Sequence, residues 1–137
     1  MASDAPKRYR VLVVEDDRAL ADAVTASLES HGHEARAEVV TAQTRLEDVV
    51  KTARTWKPDA ILLDHTMPLD GTAFLAGFLA DPNVRETPVL LFTGADNIPV
   101  EVRRCVFTTV RKPFQMEGLV SLVENAVGLR ARAAARP

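Results

Sequence analysis

The sequence predicts an α/β domain built on a parallel sheet with helices on both faces. Two observations carry this reading. Five short strand-like runs alternate with five segments of helical period, and a strand–helix repeat of that kind requires crossover connections. The first, third and fourth runs are apolar throughout, as strands buried on both faces are. A chain of 137 residues suits one such domain.

The elements follow in order. Arg10-Val11-Leu12-Val13-Val14 is short, β-branched and apolar, a first strand. Leu20, Val24 and Leu28 recur at helical spacing, and His31-Gly32 closes that helix as a C-cap. Glu34 to Val40 is a second strand. Thr41 is expected to cap a helix reaching about Arg54, with Leu46, Val49, Val50 and Ala53 on its inner face. Lys57-Pro58-Asp59 breaks the chain before a third strand, Ala60-Ile61-Leu62-Leu63. Phe74, Leu75, Phe78 and Leu79 make a third helix ending near Asp81-Pro82-Asn83. Val89-Leu90-Leu91-Phe92 is a fourth strand, Val100 to Val106 a short fourth helix, and Thr108 to Arg111 a weak fifth strand. Met116, Leu119, Val120, Val123 and Val127 line one face of a last helix. The organisation expected is a flexible segment 1–8, a folded domain 9–128, and an Ala/Arg-rich tail 129–137. Arg130, Arg132 and Arg136 in that tail suit the C-terminal end of a helix dipole.

Composition narrows the function classes. Hydrophobic residues make up 47% and charged residues 26%, ordinary for a soluble protein with a core. A net charge of −2 gives no electrostatic case for nucleic acid or an anionic membrane. No apolar stretch approaches the roughly 20 residues that span a bilayer, and the first residues lack a signal-peptide core. Cys105 is the single cysteine, so no internal disulfide or zinc pattern exists; it reads as a small core or helix residue. A reduced, cytoplasmic setting and a monomer or weak dimer are expected. His31 and His33 flank Gly32 in a turn and read as solvated.

Ligands of open parallel sheets sit beyond the carboxyl ends of the strands. The first strand delivers Glu15 and Asp16 there, with Asp17 opening the next helix. The third delivers Asp64, the fourth Thr93-Gly94, and the fifth Lys112-Pro113. Two unit charges about 4 Å apart repel by roughly 4 kcal/mol at an effective dielectric near 20. Three carboxylates on one rim therefore imply that some are protonated or that a cation sits among them. Hard oxygen ligands with open positions suit Mg²⁺, with Asp16 the first candidate and Glu15 acting through water. Asp64 is also a potential nucleophile, since a carboxylate can take a phosphoryl group as an acyl phosphate. Thr93 and Lys112 would then serve its equatorial oxygens.

With these pieces in place, the sequence resembles the receiver domain of bacterial two-component response regulators. The resemblance rests on Val11-Leu12-Val13-Val14-Glu15-Asp16-Asp17, on Pro58 to Gly71 with its core Leu62-Leu63-Asp64-His65-Thr66-Met67-Pro68, on Pro88 to Gly94, and on Arg111-Lys112-Pro113-Phe114. It covers about residues 9 to 128. It implies a flavodoxin-like, doubly wound five-stranded parallel sheet of order 2-1-3-4-5. It also implies that Asp64 is the phosphoacceptor and that Asp16, Asp64 and the backbone carbonyl of Thr66 ligate Mg²⁺, with Glu15 holding a bound water. Thr93 would bind the phosphoryl group and move toward it, and Lys112 would pair with a phosphoryl oxygen across a cis Lys112–Pro113 bond. The phosphoryl donor would be a sensor histidine kinase or a histidine phosphotransfer protein. The expected function is a single-domain phosphoacceptor switch, not a turnover enzyme, acting on a downstream protein target or within a phosphorelay.

Four positions depart from the family pattern. Thr109 stands where the family usually places an aromatic, with Phe107 two residues earlier. A threonine cannot sweep a ring between buried and exposed positions. The stretch from Thr93 to Lys112 is short, which predicts a short or irregular fourth helix, and the stretch from Asp16 to Asp64 is long. His65 follows the phosphoacceptor where an apolar residue is usual; it reads as a strand neighbour pointing away from the site. The missing aromatic and the short fourth helix favour one competing reading, a receiver-like binding module independent of phosphate. A phosphoaspartyl hydrolase would want a second acid two residues beyond Asp64, where Thr66 stands, and a flavin site would want a Ser/Thr-Gly-rich first loop.

Overall fold

The computed structural model describes residues 8–65, 71–94 and 98–135, with side chains up to residue 130. Thr66, assigned above to metal ligation, lies outside them. The elements are β1 (Arg10–Glu15), α1 (Arg18–Ser30), β2 (Glu34–Val39), α2 (Leu46–Trp56), β3 (Ala60–Asp64), α3 (Gly71–Ala80), β4 (Val89–Thr93), α4 (Val100–Arg103), β5 (Thr108–Arg111) and α5 (Met116–Ala135). The sheet is parallel throughout in the order β2-β1-β3-β4-β5. This is the flavodoxin-like α/β architecture expected of the sequence. No helix among the described residues is long and apolar enough to cross a membrane.

The two-residue period of the strands divides the core into two layers. Leu12, Val14, Ile61, Leu63, Val89 and Leu91 pack with Val49 and Ala53 of α2, Phe74, Leu75 and Phe78 of α3, and Val102 of α4. Val11, Val13, Leu62, Leu90, Phe92 and Val110 pack on the other face against Val24 and Leu28 of α1 and a stripe of α5 from Leu119 to Val127. β1, β3 and β4 are central and nearly every residue is buried; β2 and β5 form the edges.

Local signals set the boundaries. Asp17 caps α1 by accepting the Leu20 N–H at 3.2 Å. The chain turns out of α1 through Gly32, whose φ of +90° suits glycine. Helix α2 departs from expectation: it begins at Leu46 behind Arg45, not at Thr41. The hydroxyls of Thr41 and Thr44 are engaged in a turn of their own. Thr44 Oγ1 accepts the Thr41 N–H at 2.8 Å, and Thr41 Oγ1 accepts the Gln43 N–H at 3.2 Å. Such local bonds compete with capping. Leu46, expected on the inner face, is 36% exposed at the first position of the helix. Helix α4 is a single turn, shorter than the 100–106 span predicted, and Cys105 lies exposed just past it instead of in the core. Helix α5 continues past residue 128 to Ala135.

His33 is the clearest correction. It is buried, not solvated. The Tyr9 backbone N–H donates to His33 Nδ1 at 3.2 Å, which leaves Nε2 to donate to Glu124 Oε2 of α5 at 2.7 Å. The ring also stacks on Tyr9 with centroids 5.1 Å apart. One imidazole thus ties the entrance of β1, the α1–β2 turn and α5 together.

Gly71 opens α3 against the end of β3. A Cβ there would stand 2.8 Å from the Asp64 carbonyl oxygen and 2.9 Å from His65 Cα, both backbone atoms that cannot move aside cheaply. Gly71→Ala is therefore expected to destabilise the fold by about 1–3 kcal/mol, the usual cost of overpacking, despite alanine's better helix propensity. Urea unfolding checks this; an unchanged midpoint would show that the β3–α3 connection yields freely.

Candidate functional site at the carboxyl ends of the strands

Strand period decides which side chains meet. Glu15 continues the face of Val11 and Val13, and Asp64 continues that of Leu62, so both carboxylates project on the α1/α5 side. β1 and β3 are hydrogen-bonded neighbours, which brings the two acids side by side. Both are essentially fully buried. Asp16, one residue on and half-buried, joins them: one oxygen from each of Glu15, Asp16 and Asp64 lies within 4.8 Å of the others.

Lys112 reaches the pair from the end of β5. Its Nζ stands 3.0 Å from Asp64 Oδ2 and 3.4 Å from Glu15 Oε1. β4 lies between β5 and β3, and the ammonium crosses it over the Phe92 ring, 5.2 Å from the centroid. Phe92 shares the register of Asp64. The sequence places Phe92 in the fourth strand without a role at the site; the signal was present in its position, one residue before Thr93 on the strand that separates acid from base. The Lys112 backbone N–H donates to the Thr93 carbonyl at 2.8 Å, and the Lys112–Pro113 peptide is cis.

The electrostatics follow from burial. Glu15 Oε2 accepts the backbone N–H groups of Asp16 at 2.8 Å and Asp17 at 3.1 Å. Burial, followed by the hydrogen bonds and repulsion of Asp64 and Asp16, nevertheless pushes its carboxyl up to about 8; the Asp17 N–H opposes the rise. Burial lowers the Lys112 pKa, but its bonds and attraction to Asp64 and Glu15 outweigh that and leave it raised. Lys112 is thus a fixed cation. Three carboxylates against one ammonium leave two negative charges unbalanced if all are ionised. A small divalent cation held by hard oxygens would neutralise that residue of charge, and the donor set suits it.

Thr93 and His65 lie on the other face. Thr93 continues the side of Val89 and Leu91 and is buried at the end of β4. His65 donates its backbone N–H to the Phe92 carbonyl at 3.0 Å. The structure therefore gathers Glu15, Asp16, Asp64 and Lys112 into one cluster and sets Thr93 at the end of the adjoining strand. An acid that can act as nucleophile, a fixed cation beside it and a second set of hard oxygens are what transfer of an anionic group to a carboxylate requires.

Comparison with known proteins agrees with this arrangement. The description of the response regulator receiver domain family matches residues 11–124. PilH of Pseudomonas aeruginosa is 33% identical over 122 residues, covering 86% of this chain and 96% of PilH. The response regulator MprA of a Mycobacterium species is 31% identical over 116 residues, which are 82% of this chain and 47% of MprA, so the chain spans about half the length of that relative. Among solved structures, NtrX of Brucella abortus, in complex with ADP, superposes with a TM-score of 0.77 at 25% identity over 93% of this chain and 28% of NtrX. The receiver domain of the sensor histidine kinase PA1611 of Pseudomonas aeruginosa, with a magnesium ion coordinated in its active site cleft, superposes with a TM-score of 0.73 over 89% of this chain and 99% of its own. Its identity is 23%, a likeness of fold. With β1 to α5 in receiver order and the acids and lysine gathered at one rim, the chain belongs to the response regulator receiver domain family.

Proposed function

We propose that this chain accepts a phosphoryl group on Asp64, in a Mg²⁺-dependent step, from a sensor histidine kinase or a histidine phosphotransfer protein in the cytoplasm. The acyl phosphate then changes its affinity for a protein target or passes on within a relay. The observation that carries the reading is the placement of the Lys112 ammonium 3.0 Å from Asp64 Oδ2 within a rim of three acids.

The step follows from these groups. An Asp64 carboxylate oxygen attacks phosphorus as the P–N bond to the donor imidazole breaks, and that nitrogen leaves with the bonding pair. Lys112, already against Asp64 Oδ2, then meets charge gathering on the phosphoryl oxygens. Asp16, Asp64 and, through water, Glu15 would hold Mg²⁺, which supplies charge neutralisation at those oxygens. Thr93 would donate its hydroxyl to one of them. The product adds a charge of roughly −1.5 to −2 to the rim, enough to rearrange groups held by single hydrogen bonds. The reaction is a self-catalysed modification reversed slowly by water, and so is not enzymatic turnover.

A phosphate-independent binding module is the second reading. The single-turn α4 and the exposed Thr109 favour it, since both lie where a phosphorylation signal would be displayed. The intact acid and lysine cluster favours the first.

Two outcomes are expected. Incubated with a small phosphodonor and Mg²⁺, the chain should gain one phosphoryl group by intact mass; Asp64→Asn and chelated samples should gain none. An adduct that persists in Asp64→Asn removes Asp64 from the role. The second outcome concerns pH. Without metal, the folded chain keeps a proton on Glu15 that an unfolded chain loses above its ordinary value of 4.5, so stability should fall as pH rises from there to about 8. Glu15→Gln should flatten that decline, Mg²⁺ should reduce it, and Asp16→Asn should raise the metal-free melting temperature by relieving repulsion. Melting temperatures in chelator that fall equally for Glu15→Gln and the parent would show that Glu15 titrates normally.

A further inference from the structure

One polar atom beside the site has no partner in this arrangement. His65 Nδ1 is buried without a hydrogen bond, the one such side-chain nitrogen or oxygen among the described residues. Its surroundings are defined by strand register. β3 and β4 pair from Ile61↔Val89 to Asp64↔Phe92, and the same offset sets His65 opposite Thr93. The bond from the His65 N–H to the Phe92 carbonyl keeps that offset. Both side chains then fall on the α2–α4 face, on neighbouring strands about 4.8 Å apart. Thr93 makes other contacts here, and none of them is to His65 Nδ1.

A buried polar atom left unpaired raises the free energy of the state that leaves it so. Any arrangement that gives it a partner is favoured by the same amount, whatever triggers the change. We propose that His65 is a positioning residue that biases the switch toward its phosphorylated arrangement by pairing with Thr93 there and not before. A threonine hydroxyl can donate its proton to a phosphoryl oxygen while accepting another on its own oxygen. His65, in the tautomer that carries hydrogen on Nδ1, supplies that second bond, and each bond polarises the other. The cost carried by the resting rim is thereby released when Thr93 turns to the phosphoryl group. The proposal rests on Asp64 being the phosphoacceptor.

His65→Leu separates the two. Leucine removes the unpaired nitrogen from the resting state, so the unphosphorylated variant should melt several degrees higher than the parent. It also removes the bond to Thr93, so phosphorylation by a small donor with Mg²⁺ should slow by about five-fold or more, and the rise in melting temperature on phosphorylation should shrink. His65→Gln, whose amide can still donate, should keep most of the parental rate; His65→Met replaces the leucine variant if that one does not fold. An apolar variant that melts no higher and is phosphorylated at the parental rate overturns the proposal while leaving Asp64 in place. A parent chain that takes no phosphoryl group overturns the phosphoacceptor reading instead.

Discussion

The contact of Lys112 with Asp64 and Glu15 is the constraint around which the rest of the structure is arranged. Buried carboxylates are costly unless paired and hydrogen-bonded. Here two of them end adjacent strands with essentially no solvent. Parallel pairing of β1 with β3 makes that adjacency unavoidable, because equal strand ends bring equal side-chain faces together. The compensating cation must come from elsewhere on the same rim. β5 is two strands from β3, about 10 Å at ordinary strand spacing, so a long side chain is needed and an apolar surface must support it on the way. Phe92 provides that surface, and the lysine stem and ammonium cross β4 along it. Sheet order, strand period and one aromatic residue are thus all required for a single ion-pair geometry.

That geometry is deliberately incomplete in charge. One ammonium cannot balance three acids, and the backbone N–H groups of Asp16 and Asp17 serve Glu15 alone. Burial removes one of the two excess charges by keeping a proton on Glu15 to about pH 8. A divalent cation would resolve it differently, by letting Glu15 ionise. The same rim therefore has two ways to lower its charge, of which only the divalent cation reaches neutrality, and they differ in how much negative charge Asp64 and its surroundings present to an incoming anion. A site that must accept an anionic group onto an anionic residue needs the second.

Most of the scaffold was legible because its signals are local. Val11 to Val14 and Ala60 to Leu63 are buried on both faces and read as uninterrupted apolar runs, so their carboxyl ends could be located to within one residue. Asp17 capped α1 through a bond three residues away, within reach of any sequence window. What escaped depends on partners distant along the chain or on choices between equal local options. His33 looked like a turn residue because its partner Glu124 is 91 positions on and belongs to another element. Thr41 had every property of a cap, yet it and Thr44 close a local turn on each other, and the helix begins only at Leu46. Cys105 was assigned to a helix that stops after one turn. The cation-bearing path over Phe92 needed the order β3-β4-β5, which apolar periodicity alone does not supply.

The two sheet faces also divide the labour of the site. Glu15, Asp64 and Lys112 share the α1/α5 face with a continuous apolar stripe of α5 beneath them, a rigid floor for charge. Thr93 and His65 share the other face, which leads toward α4. That helix is one turn long, buries Val102 and leaves Val100 exposed, and Phe107 beyond it is exposed too. A helix of one turn has little hydrogen bonding of its own to lose, and a segment with few buried contacts opens at low free energy. Displacing it therefore needs only a modest change in the rim above. A full-length helix would resist the same push through its own packing. Any coupling between the rim and that segment has to run through the residues at the ends of β3 and β4.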